Sequence, residues 1–157
     1  MKRSLALALL ALAALTACTQ TVPVEPAENA TDKKCASVIV DISRNGPEVL
    51  GDGLESRETD AQGTAAWGNP SGVILRCGVP EPLPTATLAC SSVEGIDWLV
   101  DNSKAPIYVA TSYGRSPAVE VVIDRDVISP AAALTGLADA VSLTEQTRKC
   151  TKVTNTL

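Results

Sequence analysis

Histidine is absent from this chain. That removes Ser-His-Asp and Cys-His nucleophilic arrangements, histidine general-base work and histidine metal ligation. No Ser-x-x-Lys spacing occurs either, so the commonest histidine-free serine nucleophile pattern is missing. Phenylalanine is absent too, and two Trp and two Tyr are the only aromatic rings. Val, Leu, Ile and Ala must therefore fill the core. No C-x-x-C pair occurs among the five cysteines, so no zinc set is indicated and neither metal nor cofactor is expected. Cations are in deficit, with 13 Lys and Arg against 18 Asp and Glu for a net charge of −5. An acidic chain is a poor candidate for nucleic acid. No apolar run reaches the ~20 residues needed to span a bilayer.

What is present starts with Leu15-Thr16-Ala17-Cys18. Lys2 and Arg3 make a positive leader, and Ser4 to Ala14 is a short apolar stretch of Leu and Ala. Thr16 and Ala17 are small enough to sit in a signal peptidase beside Cys18. The pattern reads as a bacterial lipobox, cleaved before Cys18, whose thiol then carries diacylglycerol. Two acyl chains give stable anchoring where one gives only marginal binding. Residues 1–17 are thus expected as signal peptide and 18–32 as a flexible tether containing Pro23 and Pro26. Residues 33–157 are expected as a single extracytoplasmic domain. The expected location is the outer face of the cell membrane, with the lipid on Cys18 as the membrane partner. Loss of Lys2 and Arg3 with the signal peptide moves the formal charge from −5 to −7.

Cys35, Cys77, Cys90 and Cys150 remain, an even number in a compartment that permits oxidation. Cys77 and Cys90 flank a Pro-rich turn, and Cys35 and Cys150 bracket the domain. The favoured pairing is therefore Cys77–Cys90 with Cys35–Cys150.

Periodicity supplies the elements. Lys34 to Ser43 fits either a helix face (Ala36, Ile39, Val40) or a strand, and helix is preferred. Arg44 to Gly72 is long enough to be either functional or partly structured. Strands are expected at Val73–Val79, Ile96–Val100, Ile107–Tyr113 and Ala118–Ile123, the last two joined through Gly114-Arg115-Ser116-Pro117. Ser129 and Pro130 open a helix whose inner face is Leu134, Leu137, Ala138 and Val141. The expected fold class is two-layer α+β, with an antiparallel sheet of about four strands packed against N- and C-terminal helices and stapled by disulfides.

Four segments carry a resemblance. They are Thr64-Ala65-Ala66-Trp67-Gly68-Asn69-Pro70, Val73-Ile74-Leu75-Arg76-Cys77-Gly78-Val79-Pro80, Val93-Glu94-Gly95-Ile96-Asp97-Trp98-Leu99-Val100 and Tyr113-Gly114-Arg115-Ser116-Pro117-Ala118-Val119-Glu120-Val121. Together they resemble an actinobacterial family of secreted and lipid-anchored domains of unknown function, family 3515. The resemblance implies a membrane-anchored extracytoplasmic protein of a Gram-positive cell. It implies no activity, so no functional residue carries over.

Two carboxylate groups stand out: Glu94, Asp97 and Asp101 around Trp98, and Glu120, Asp124 and Asp126. Paired carboxylates can hydrolyse glycosides when they face one cleft, although acidic edges are commoner on plain surfaces. Asp124-Arg125-Asp126 lacks the spacing and Glu of a calcium loop, and Gly51-Asp52-Gly53 lacks the context of a phosphate loop. Arg76, inside an apolar strand, needs a partner. Trp67, Arg76, Trp98, Tyr113 and Arg115 are the candidate binding residues, a cationic and aromatic set suited to a carboxylate or sugar-like ligand. The plainer reading is an internal ion pair, Arg76 with Glu120 or Asp97. The expected function is a non-enzymatic binding or assembly module for an envelope protein or cell-wall component. The alternative is a small carboxylate-dependent hydrolase acting on wall glycan.

Overall fold

The structure, a computed structural model, describes residues 20–45, 49–51, 53–84 and 87–151. The expected signal peptide (residues 1–17), Cys18 and residues 152–157 lie outside the described residues.

Helix α1 (Lys33–Arg44) starts at Asp32, whose carboxylate caps it by accepting from the Lys34 N–H at 2.7 Å. Its buried face is Cys35, Val38 and Ile42, spaced as one helical stripe. This differs from the expected face: Ile39 is only partly buried, while Ala36 and Val40 point outward. The strands are β1 (Ser56–Arg57), β2 (Thr64–Trp67), β3 (Val73–Val79), β4 (Ala89–Val93), β5 (Ile96–Lys104), β6 (Ile107–Ser112), β7 (Arg115–Ser116) and β8 (Ala118–Asp124). Helix α2 (Pro130–Ser142) follows, capped by the Ser129 side chain, and then β9 (Glu145–Gln146).

The expected α+β class with disulfides is present, but the sheet is larger than four strands. Seven antiparallel strands run in the order β1-β2-β3-β8-β6-β5-β4, and β7 pairs with β9 in a separate two-stranded ribbon. The long 44–72 stretch supplies β1 and β2. The β6–β8 connection is more than a hairpin turn, since Arg115 and Ser116 leave to pair with Gln146 and Glu145.

One face of the sheet carries Trp67, Val73, Leu75, Cys77, Trp98, Val119, Val121 and Ile123, all fully buried. Both helices lie in this one core, through Val38, Leu134, Leu137 and Val141 among others. The alternate residues form the second face. Ile74, Arg76, Val109, Thr111, Glu120 and Val122 are half-buried there. At one corner of this face Cys90, Leu99 and Tyr113 form a small cluster with Cys150.

The disulfides correct the expected pairing. They join Cys35 to Cys77 and Cys90 to Cys150, with Cα atoms 5.4 and 6.4 Å apart. Between β3 and β4 lie β8, β6 and β5, so the strands of Cys77 and Cys90 are about 19 Å apart at ~4.8 Å per strand. A disulfide needs Cα atoms within about 7 Å. The two cysteines also face opposite sides of the sheet. Cys77 meets Cys35 of α1 in the core, and Cys90 meets the C-terminal tail on the other face. Closeness in sequence misleads because β3 lies in mid-sheet and β4, the next strand in the chain, lies at its far edge.

The segment read as tether makes backbone contacts from Gln20 onward. Val22 N–H donates to Glu58 O at 2.8 Å, and Asn29 N–H donates to Gly78 O at 2.9 Å. Gly78 has φ +97°, and a Cβ there would collide with the backbone of Asn29. Only glycine admits both the conformation and the approach.

Candidate functional site

The five candidate residues do not converge. Trp67 and Trp98 are both fully buried on the helix-covered face. Arg76 is on the opposite face, directly across from Glu120. Its Nη2 lies 2.8 Å and its Nε 3.0 Å from Glu120 Oε1, and Nη1 donates to Glu25 O at 3.4 Å. The pairing of neighbouring strands brings these charges together, and Arg76 is committed to Glu120 rather than to a ligand. Trp67 shares a row with Val73, Ile123 and Tyr108, which sets it at the opposite end of β6 from Tyr113.

Arg115 is buried beneath the C-terminus of α2. Its Nη1 donates to Thr144 O at 2.8 Å and to Ser142 O at 3.2 Å. The last carbonyls of a helix have no partners within it, and a guanidinium satisfies them. Burial lowers the Arg115 pKa from its usual value, while the Asp97 carboxylate opposes that shift. The side chain therefore fastens the β7–β9 ribbon to α2. This corrects its placement in an open binding surface with Trp67 and Tyr113.

Tyr113 is buried against the Cys90–Cys150 bridge, with the Arg148 guanidinium 6.0 Å from its ring centre. The tail around it is closed by several contacts. Cys150 N–H donates to Asp97 Oδ2 at 2.9 Å, and Arg148 pairs with Glu81 at 3.1 Å. Thr147 N–H donates to Gly114 O at 2.7 Å. Gly114 has φ +63°, and a Cβ there would overlap the Arg148 backbone. Glu81 has its pKa lowered, first by a hydrogen bond from Ser116, which burial opposes, and then by Arg148 and Thr147.

Two of the same-strand carboxylate pairs are too widely spaced for glycoside hydrolysis. Asp97 and Asp101 lie on one strand four residues apart, as do Glu120 and Asp124. Four residues of strand span about 13 Å, beyond the ~5–9.5 Å used in glycoside hydrolysis. Asp101 is lowered in pKa by hydrogen bonds from Ser103, and Asp124 Oδ1 accepts from Asp126 N–H at 3.0 Å. The donor atoms of Cys90, Asp97 and Cys150 lie within 4.8 Å of one another, but both sulfurs are joined in the disulfide. A sulfur in that bond is not a thiolate ligand.

A recess of about 450 Å³ opens between α1 and the β1–β2 hairpin, with Ile39, Ser43, Ser56, Arg57 and Thr59 among its lining. That volume is within the range of small-ligand sites. Sequence reasoning singled out the 44–72 stretch that builds this hairpin, but not the α1 side. The signal for that side was the pair Ile39 and Ser43, one turn apart near the end of α1.

A two-layer α+β domain, with two helices over one sheet face and a disulfide on each side of the sheet, is the class this fold defines. The chain belongs to the family of proteins of unknown function DUF3515, which it matches over residues 4–150. No curated protein and no solved structure matches it.

Proposed function

We propose that this protein is a lipid-anchored binding or assembly module on the extracytoplasmic face of the cell membrane. One observation carries the reading. The two disulfides take up Cys35, Cys77, Cys90 and Cys150, so Cys18 alone of the five cysteines is left over. That cysteine closes the lipobox. Fully bridged cysteines also suit an oxidising compartment rather than a reducing cytosol. The dispersed carboxylates and the lack of histidine favour binding over catalysis.

The recess between α1 and β1–β2 is the proposed contact site, in place of the set Trp67, Arg76, Trp98, Tyr113 and Arg115. Membrane fractionation tests the anchor. Wild-type protein should sediment with membranes, and Cys18→Ala should appear unprocessed or in the released fraction. Capture from intact envelopes tests the contact site. Ser43 is exposed at the rim and its hydroxyl bonds only to Ile39 O of its own helix (2.9 Å), so Ser43→Trp fills the recess without disturbing the core. Loss of a specifically recovered partner in Ser43→Trp is the expected result. Undiminished recovery would move the site elsewhere.

A further inference from the structure

We propose that the domain rests on the bilayer by one end of its sheet, the end formed by the turns at residues 68–71, 105–106 and 125–127. In this arrangement residues 20–32 form a docked strap that sets the orientation. The proposal rests on the lipid reading of Cys18.

The strap follows a defined path along the sheet. Arg57 Nη2 donates to Gln20 O at 2.6 Å, and its Nη1 donates to Gly68 O at 3.0 Å. From there Val22 lies beside Thr59 in a parallel bridge, and Val24 N–H donates to Asp60 Oδ1 at 2.8 Å. Glu25 O meets Arg76, and Asn29 reaches Gly78 at the far end of β3. The segment thus runs the length of the sheet and begins at the Gly68 end. Thr19 alone separates Gln20 from Cys18. Two residues of extended chain span at most about 7 Å. A lipid on Cys18 would therefore enter the membrane beside the Gly68 turn. A free tether over residues 18–32 would impose no such limit.

The turns at this end of the sheet point the same way independently of the strap. The row Trp67, Val73, Ile123 and Tyr108 is the last before the turns, and Ile107 pairs with both Asp124 and Lys104 just beyond it. Arg125 N–H donates to Pro106 O at 3.0 Å and Asp124 N–H to Gly72 O at 2.8 Å, so the three turns adjoin. Ile107 and Val127 are 36% and 43% exposed at this end, two of the six exposed large apolar side chains among the described residues. Lys104 and Arg125 stand beside them, with Asp124 and Asp126 balancing the charge. Exposed aliphatic groups among mixed charges suit the headgroup boundary of a bilayer. The balanced charge means that anionic lipid is not required.

Quenching by brominated lipids tests this on the full protein, extracted from membranes and reconstituted in zwitterionic vesicles. Single variants Ile107→Trp, Val127→Trp and Leu83→Trp place a reporter at the proposed contact end and at Leu83, 77% exposed beyond the opposite end of β3. Trp67 and Trp98 form a constant buried background. Quenching at 107 and 127 should exceed that at 83 by about twofold or more. Arg57→Ala, which removes the hold on Gln20, should bring the three positions toward equality. Equal quenching in the otherwise native protein, or strongest quenching at 83, would overturn the orientation. An unchanged contrast in Arg57→Ala would overturn the role of the strap. Intact mass of the same preparation separates the two ideas. An acylated Cys18 with equal quenching contradicts the orientation alone, while an unmodified Cys18 contradicts the anchor and the orientation with it.

Discussion

Arg76 lies in an apolar strand and Arg115 in a two-residue polar ribbon, and their partners give them different weights. Arg115 is buried and holds two carbonyls at the end of α2. Arg115→Ala would leave Ser142 O and Thr144 O without that donor and is expected to cost about 1.5–3 kcal/mol. For a domain of this size that lowers Tm by roughly 5–10 °C. Thermal melting checks it, and an unchanged Tm would return Arg115 to the list of binding residues. Arg76 and Glu120 retain 29% and 20% side-chain exposure, so solvent screens their attraction. A double-mutant cycle of Arg76→Ala and Glu120→Ala should give a coupling below about 1 kcal/mol. That Arg76 needs an internal partner was legible in the sequence, with Glu120 or Asp97 as candidates, and the β3–β8 register selects Glu120. The role of Arg115 was not legible. Its carbonyl partners lie 27 and 29 residues away, and nothing local points to them.

At the scale of elements, strong periodicity was readable and weak periodicity was not. Val73–Val79 and Ala118–Ile123 are dense in β-branched residues, and both were legible as strands, the second extending by one residue to Asp124. Helix α2 was legible from its Ser129 cap and Pro130. Strand β4 has small, polar residues, and β1, β7 and β9 are two residues each, too short to show a period. The C-terminal tail is held by side chains instead, and Glu81 makes it sensitive to pH. The folded Glu81 carboxyl has its pKa lowered by Ser116, Arg148 and Thr147 from an ordinary value of 4.5. It therefore stabilises the tail fully above about pH 4.5, and that contribution disappears as pH falls through the lowered folded value. Amide-exchange protection at Thr147 and Arg148, taken relative to the intrinsic rate at each pH, should fall on acidification over that range. Glu81→Gln should remove most of this dependence, and identical pH profiles in the two proteins would contradict it.

For the whole molecule, the α+β class was legible but the strand order was not. Sequence spacing suggested that Cys77 and Cys90 were neighbours, whereas the chain carries β4 to the far edge of a seven-stranded sheet. The consequence is one bridge on each side of the sheet. Cys35–Cys77 ties α1 to β3, and Cys90–Cys150 ties the tail to β4. Their separations of 42 and 60 residues make each worth about 4 kcal/mol in the chain-entropy description. With these four cysteines bridged, Cys18 is the one cysteine left for the proposed lipid. Non-reducing peptide mapping of the protein extracted from membranes tests all of this in one measurement. The account predicts three products: a Cys18 peptide carrying diacylglycerol at a new N-terminus, a Cys35–Cys77 linked pair and a Cys90–Cys150 linked pair. A Cys77–Cys90 linked peptide, or an unmodified Cys18 in the mature membrane protein, would contradict it.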